Sequence, residues 1–314
     1  MTQSRLRQPW SAADIGDQSG RTAVVTGANT GVGFHVAKAL AEHGATVVLA
    51  CRDTAKAADA FARITADVPS AAVTTLALDL ASQSAVREAA DRLRTTHPRV
   101  DLLINNAGVM WAPRGRTVDG FETHLAVNHL GHFAFTGLIL DLLTGTRGSR
   151  VVTVTSPAHK RARIDFDDLQ SEQRYRPVAV YGQSKLANLL FTYELHRRLG
   201  EAGAATISLA AHPGGARTEL NRTMPILFRG RSWGIWRPLT HSAATGALPI
   251  LRAATDSGAS GGQYYAPDGL GEFKGHPAAQ ESSPGSHDLD AQRRLWEISE
   301  RLTSTTYDFT STHA

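Results

Sequence analysis

Tyr181 and Lys185 stand four residues apart, a spacing that puts a phenol and an ammonium on one face of a helix. A free tyrosine has a pKa of about 10, too high for ready proton exchange at neutral pH. A lysine one turn away favours the phenolate and is expected to bring that value toward the working range. Such a pair can give a proton to a ketone or aldehyde oxygen, or take one from an alcohol. Lys185 could also hydrogen-bond the ribose hydroxyls of a bound nucleotide. Ser156, just beyond an apolar β-rich run, could donate to the same substrate oxygen and stabilise the charge that develops there. Taken singly, these residues have plainer explanations. Tyr–Lys pairs at this spacing are common on solvated helix faces, and a serine can simply end a strand.

Far upstream, Thr26-Gly27-Ala28-Asn29-Thr30-Gly31-Val32-Gly33 follows one apolar strand and opens a helical pattern. Small residues there let the backbone approach a pyrophosphate, and helix amides meet its charge. An ordinary tight βα turn is the alternative. The second strand ends Leu49-Ala50-Cys51-Arg52. A carboxylate at that end would bond a ribose 2′-hydroxyl and repel a 2′-phosphate. A thiol occupies the place instead, with a guanidinium beside it, so NADP is favoured over NAD. Asp53 could neutralise Arg52, or act only as a helix cap. Asp79, with Leu80 beside it, follows the third strand and could accept from an adenine amino group. Asn105-Asn106-Ala107-Gly108 ends the fourth, where small side chains leave room for a ligand. As isolated residues these serve equally well in turns.

The elements that must carry these residues alternate regularly. Strands are expected at Arg21–Thr26, Ala45–Cys51, Val73–Leu78, Val100–Ile104, Arg150–Val154, Thr206–Ala211 and Gly262–Tyr265. Helices are expected at Val32–His43, from Thr54 with Asp53 as cap, near 82–97 and 118–144, through Tyr181–Leu199 and near 288–303. Short β-branched runs between helices imply right-handed crossovers and a mainly parallel sheet covered on both faces. The pattern predicts one α/β domain of the doubly wound type with seven strands. Residues 1–19 read as an N-terminal extension, 20–265 as the nucleotide-binding catalytic domain, and 266–314 as a C-terminal extension with one helix. Residues 268–286, rich in Gly, Ser, Pro and His, read as loop.

The order and spacing of these motifs, together with Asn128 and Pro213-Gly214, resemble the short-chain dehydrogenase/reductase family across about residues 20–265. Ala50-Cys51-Arg52-Asp53, Leu125-Ala126-Val127-Asn128 and Tyr181-Gly182-Gln183-Ser184-Lys185-Leu186-Ala187-Asn188 look most like its branch of retinol dehydrogenases and protochlorophyllide reductases. The resemblance implies a Rossmann-type fold with NAD(P) at the carboxyl ends of the strands. It implies a catalytic set of Ser156, Tyr181, Lys185 and Asn128, the last holding a water in a proton relay behind Lys185. Cofactor contacts would fall on Gly27, Asn29, Thr30, Gly31, Val32, Gly33, Arg52, Asp79, Leu80, Asn106, Ala107 and Gly108. Tyr181, Lys185, Pro213, Gly214 and Thr218 would complete them, the last three holding the nicotinamide carboxamide. Thr155 stands where the family often has a first serine, and Gly215 where the branch often has a bulkier residue. The resemblance also implies pairing through the helices near 120–144 and 178–199, hence a homodimer.

A hydrophobic fraction of 42% over 314 residues supports a large core without metal or disulfide staples. The single cysteine, Cys51, fits a reducing compartment, and the polar start Met1–Gln8 gives no secretory signal, so a cytoplasmic protein is expected. A net charge of +4 does not point to nucleic acid. Residues 215–240, where the family has its substrate lid, are apolar and aromatic and hold Arg217, Arg222, Arg229, Arg231 and Arg237 against one acid, Glu219. That suits a small hydrophobic carbonyl or alcohol substrate, including one with an anionic group. Such a lid could touch a membrane surface, but packing on its own domain explains it equally, and no stretch is long enough to span a bilayer. The segment between Ser156 and Tyr181 could wall the substrate pocket or form a solvated face. His129 and His132 stand at i, i+3 with no third ligand at zinc-like spacing, so no metal is expected. His212 could meet substrate, although packing at the strand end is the simpler reading. A nucleotide-sensing protein without catalysis would need the glycine turn but not the tyrosine–lysine pair. A sugar epimerase or dehydratase would need a larger C-terminal substrate domain.

Overall fold

Seven short apolar runs alternate with amphipathic segments, and each run becomes a strand buried between helical layers. The computed structural model describes residues 9–215 and 240–309. Strands β1 (Thr22–Thr26), β2 (Thr46–Cys51), β3 (Val73–Ala77), β4 (Leu102–Asn105), β5 (Arg150–Val154), β6 (Ile207–Ala211) and β7 (Tyr264–Pro267) are all parallel. The sheet order is β3-β2-β1-β4-β5-β6-β7-β8. Strand order reverses between β1 and β4, which opens a crevice at their carboxyl ends, the usual ligand position in such sheets.

The sheet has eight strands rather than the expected seven. β8 (Pro277–Gln280) pairs antiparallel with β7 inside the segment read as loop. Its sequence, Pro-Ala-Ala-Gln, has no β-branched residue, and Pro277 is tolerated because it opens an edge strand.

Helices α1 (Gly31–Glu42), α2 (Thr54–Asp67) and α8 (Ala243–Thr255) cover one face, with Val36, Leu40, Ile64, Ile250 and Leu251 in the shared core. The other face is covered by α3 (Gln83–Thr96), α5 (Gly131–Leu138), α6 (Leu140–Thr144) and α7 (Pro177–Glu201), through Val86, Leu93, Phe133, Leu143, Phe191 and Leu195. The single helix expected near 118–144 is instead a broken series. Helix α4 (Thr123–Leu125) runs into a π-helical turn (Ala126–Leu130) that carries Asn128, before α5 and α6. Such turns insert one extra residue per turn and re-aim the side chains they carry. The final helix, α9 (Leu289–Thr303), lies over α5 and α7.

Candidate active site

The glycine turn is built by close approach. Gly27 has φ +65°, open to glycine at no steric cost, and its amide donates to Ala50 at the end of β2 (2.8 Å). A Cβ on Gly33 would fall 2.5 Å from the Gly27 carbonyl oxygen and on the Asn106 amide, so α1 can reach the strand only without one. Thr30 caps α1 without using its hydroxyl. The first-turn amides of Gly31, Val32 and Gly33 are therefore open, as an anion site requires.

Thr26 joins this turn to the end of β4. Its hydroxyl accepts from the amides of Asn106 and Ala107, each at 2.9 Å, and the Asn106 side chain donates to the Thr26 carbonyl at 2.8 Å. His132, buried on α5, stands 2.9 Å from the same hydroxyl through Nε2 and 3.1 Å from the Asn128 carbonyl through Nδ1. A carbonyl only accepts, so Nδ1 carries the proton and Nε2 takes the Thr26 hydroxyl proton. Burial holds the ring neutral, its pKa brought down to about 4. His132 and His129 are thus packing and bridging residues. No cluster of three metal-ligating side chains exists among the described residues.

At the end of β2, Arg52 is exposed, while Asp53 turns away to cap α2 and meet Lys56 (3.0 and 3.6 Å). No ion pair joins Asp53 to Arg52 among the described residues. Cys51 is buried, and its thiol is pushed up to about 11 by burial, against the amides of Ala28 and Asn29 that approach it. It is therefore no nucleophile. Asp79 accepts from the Ala81 amide at 2.9 Å, and Leu80 is buried with its carbonyl against Gly131.

The other half of the site converges on α7. Tyr181 and Lys185 are both buried. The Lys185 ammonium lies 6.0 Å from the Tyr181 ring centroid and donates to the Val154 carbonyl at 3.1 Å. Ser156 follows β5, and Thr155 beside it donates to the Lys185 carbonyl at 2.7 Å. That bond gives Thr155 a positioning role which its replacement of a serine had not suggested. Burial raises the Tyr181 pKa, with the Ser156 hydroxyl opposing. Burial also brings Lys185 down to about 8. The expected lowering of Tyr181 by Lys185 is thus not the dominant effect, because desolvation outweighs a cation held against another carbonyl.

Asn128 accepts from the Val109 amide (2.8 Å) and donates to the Val109 carbonyl (3.0 Å) and Ser184 hydroxyl (2.8 Å). A Cβ on Gly108 would lie 3.0 Å from Asn128 and 3.4 Å from the Lys185 ammonium. The turns after β1 and β4 and the Tyr181–Lys185 pair therefore border one crevice. Pro213 and Gly214 follow β6. Gly214 has φ +74°, and a Cβ there would strike His241 and the Phe273 carbonyl. Thr218 and residues 216–239 of the expected lid lie outside the described residues. His212 is buried at the strand end, where Nδ1 accepts from Gly214, and has the packing role expected of it.

Three neighbours of the site went unremarked in the sequence. His124 and Glu122 are fully buried partners 2.9 Å apart, and the His124 ring stands edge-on to Tyr181 at 6.2 Å. Tyr175 reaches the same place. An acid and a histidine two residues apart, directly before the apolar run Leu125-Ala126-Val127, are the signal that could have found the first two.

Residues 21–225 match the short chain dehydrogenase family. Human retinol dehydrogenase 12 is 40% identical over 282 residues, spanning 89% of this chain and 85% of that one. A crystal structure of a protein from Mycobacterium Paratuberculosis superposes with a TM-score of 0.80 at 40% identity, covering 96% of this chain and 99% of the other. A Burkholderia cenocepacia short chain dehydrogenase in complex with NADP gives a TM-score of 0.63 at 26% identity, over 79% and 96% of the two chains. Among the described residues no helix is long and apolar enough to cross a membrane.

Proposed function

The chain belongs to the short-chain dehydrogenase/reductase family, and on that premise we propose that it reduces a hydrophobic ketone or aldehyde to the alcohol with NADPH. Family membership makes it a nicotinamide-dependent oxidoreductase of alcohol and carbonyl groups. The reading of direction and residues rests on one arrangement: buried Tyr181 one turn from buried Lys185, with the Ser156 hydroxyl against the phenol, beside the glycine crevice.

A dinucleotide bound there supplies the hydride. Its pyrophosphate would meet the open amides of Gly31, Val32 and Gly33, where glycine at 33 lets α1 come close to the end of β1. Asn29 and Thr30 border the same turn. Arg52, exposed and not spent on Asp53, is free to meet a 2′-phosphate, while Cys51 offers no charge against one. Asp79, Leu80, Asn106 and Ala107 would flank the adenosine and ribose, and Pro213, Gly214 and Thr218 the carboxamide.

Because burial raises its pKa, the Tyr181 phenol is protonated at neutral pH and serves as the acid that gives a proton to the substrate oxygen. Ser156 donates to the same oxygen and steadies its charge. Lys185, near pKa 8, is largely cationic at neutral pH. It balances the phenolate left behind and holds the ribose. The side chain of Asn128 is spent on Val109 and Ser184, so its carbonyl, with a second lone pair beside the His132 bond, is the group that would hold a relay water. An apolar substrate suits the retinol dehydrogenase relatives, and retinal belongs in the test panel.

The test follows NADPH absorbance against a panel of hydrophobic aldehydes and ketones. Tyr181→Phe is expected to lower turnover by on the order of a thousandfold while NADPH still binds. Arg52→Ala should weaken NADPH by about tenfold and NADH hardly at all. Full activity in Tyr181→Phe removes the acid from its role. NADH preferred before and after Arg52→Ala removes the cofactor assignment.

A further inference from the structure

The turn after β4 is fastened at both ends. At Val109, both backbone polar groups are taken by the Asn128 side chain, at 2.8 and 3.0 Å. At Ala112, the amide donates to His124 Nε2 at 3.1 Å, and the carbonyl accepts from the Tyr175 hydroxyl at 2.7 Å. Between the two fastenings lie Met110 and Trp111, both half-buried. Trp111 has φ +52°, a left-handed conformation that a bulky aromatic residue adopts only when its surroundings enforce it.

The enforcing group is the buried Glu122–His124 pair. Glu122 accepts from the amides of His124 and Leu125 and from His124 Nδ1, at 2.9, 2.7 and 2.9 Å. Nδ1 therefore carries the proton, and Nε2 is left as the acceptor that Ala112 needs. Two tertiary contacts orient the strap. Its Gly108 end lies against the Lys185 ammonium, and its Ala112 end is held by the ring that stands edge-on to Tyr181. Met110 and Trp111 are therefore held between a contact with Lys185 and a contact with the ring that packs on Tyr181.

We infer that Trp111 is a wall of the substrate pocket and selects for long apolar substrates, with His124 as the positioning residue that holds it there. The inference rests on the oxidoreductase reading above. A residue held in a strained conformation by two independent clamps beside a proton donor is where a fixed apolar surface is most useful. A wall on a slack loop would give way to substrates of any size.

NADPH-linked turnover of propanal, hexanal and decanal tests the wall in the full chain. Trp111→Ala should reduce the ratio of decanal to propanal kcat/KM by about tenfold or more, with NADPH affinity unaltered. Tyr175→Phe, which removes only one of the two bonds at Ala112, and His124→Phe should raise KM for decanal about tenfold while kcat falls less than about threefold. A ratio unmoved in Trp111→Ala overturns the wall. Equal falls in kcat for all three aldehydes in the clamp variants make the pair a scaffold for Tyr181 and overturn its positioning role. A wild-type protein that turns over none of the three overturns the oxidoreductase reading instead. Calorimetry with decanol in the presence of NADP then still reads the wall, as binding about tenfold weaker in Trp111→Ala if it stands and equal if it does not.

Discussion

Lys185 is a buried cation that shares its acceptor, the Val154 carbonyl, with Asn188 at 3.1 and 2.9 Å. Burial lowers its folded pKa to about 8, from 10.5 for an ordinary lysine. The charged form is thus disfavoured in the folded protein. The penalty is complete below about pH 8 and disappears as pH rises through about 10.5, the range in which the unfolded chain binds the extra proton. A shift of this size corresponds to a penalty on the order of 3 kcal/mol. Lys185→Met removes the charge and leaves Val154 bonded to Asn188. It should therefore raise the unfolding temperature at pH 7 while abolishing turnover. In the wild type, kcat/KM for reduction should fall as pH passes about 8 and the ammonium is lost. A flat profile between pH 7 and 9, or a variant less stable than wild type at pH 7, counts against this account. The identity and spacing of the phenol and ammonium were legible in the sequence. Their burial was not, because it comes from β5, the Gly108 turn and α4 closing over α7, contacts distant in sequence.

At the level of elements, the alternation of β-branched runs and amphipathic stretches marked seven strands and most helices within a few residues. The omissions share a physical cause. Helix α8 contains Gly246 and Pro249, both breakers, yet Ser242 caps it and Ile250, Leu251 and Ala253 pack it onto the sheet. Tertiary burial outweighs propensity there. The π-helical turn at Ala126–Leu130 has no periodicity of its own, and β8 exists only because β7 offers an open edge. The glycine turn is the opposite case, since its spacing is dictated by the closeness of α1 to β1. A Cβ at Gly33 would press on a backbone oxygen, which cannot rotate away. Gly33→Ala should cost about 1–3 kcal/mol of stability, by analogy with overpacked cores, and push α1 away from the end of β1, where the proposed pyrophosphate site lies. Thermal unfolding and NADPH titration of this variant should fall together. Wild-type values for both would mean that α1 need not approach β1 so closely.

For the molecule as a whole, the C-terminal residues cover part of the helical layer on one face of the sheet. α9 brings Trp296 onto Phe133 and Phe191 (ring centroids 5.0 and 5.9 Å), and Arg198 stacks on its indole at 4.5 Å. The chain then returns with Tyr307, whose hydroxyl donates to the Phe133 carbonyl at 2.6 Å and whose ring crosses Gly137. Arg87 holds the turn between them through the carbonyls of Thr303 and Ser304. The family resemblance implies pairing through the helices near 120–144 and 178–199, and Phe133 and Phe191 on these helices are covered by the chain's own tail. The same extension reaches the site. Ser283 donates to His159 Nε2 at 3.2 Å, and His159 Nδ1 donates to the Ser156 carbonyl at 2.6 Å. A second copy could reach Phe133 and Phe191 only by displacing Trp296 and Tyr307, whose buried aromatic surfaces are worth about 1.5–3 kcal/mol each. The full chain should therefore be monomeric by light scattering at micromolar concentration. Deleting residues 289–314 should lower the unfolding temperature and convert the protein to dimers or larger assemblies through the exposed aromatic face. Trp296→Ala, a smaller disturbance, should cost about 3–5 kcal/mol without that change in mass. A full-length dimer whose α5 and α7 amides are protected from hydrogen exchange by the partner would show that the tail gives way, and that covering these helices is not what it does.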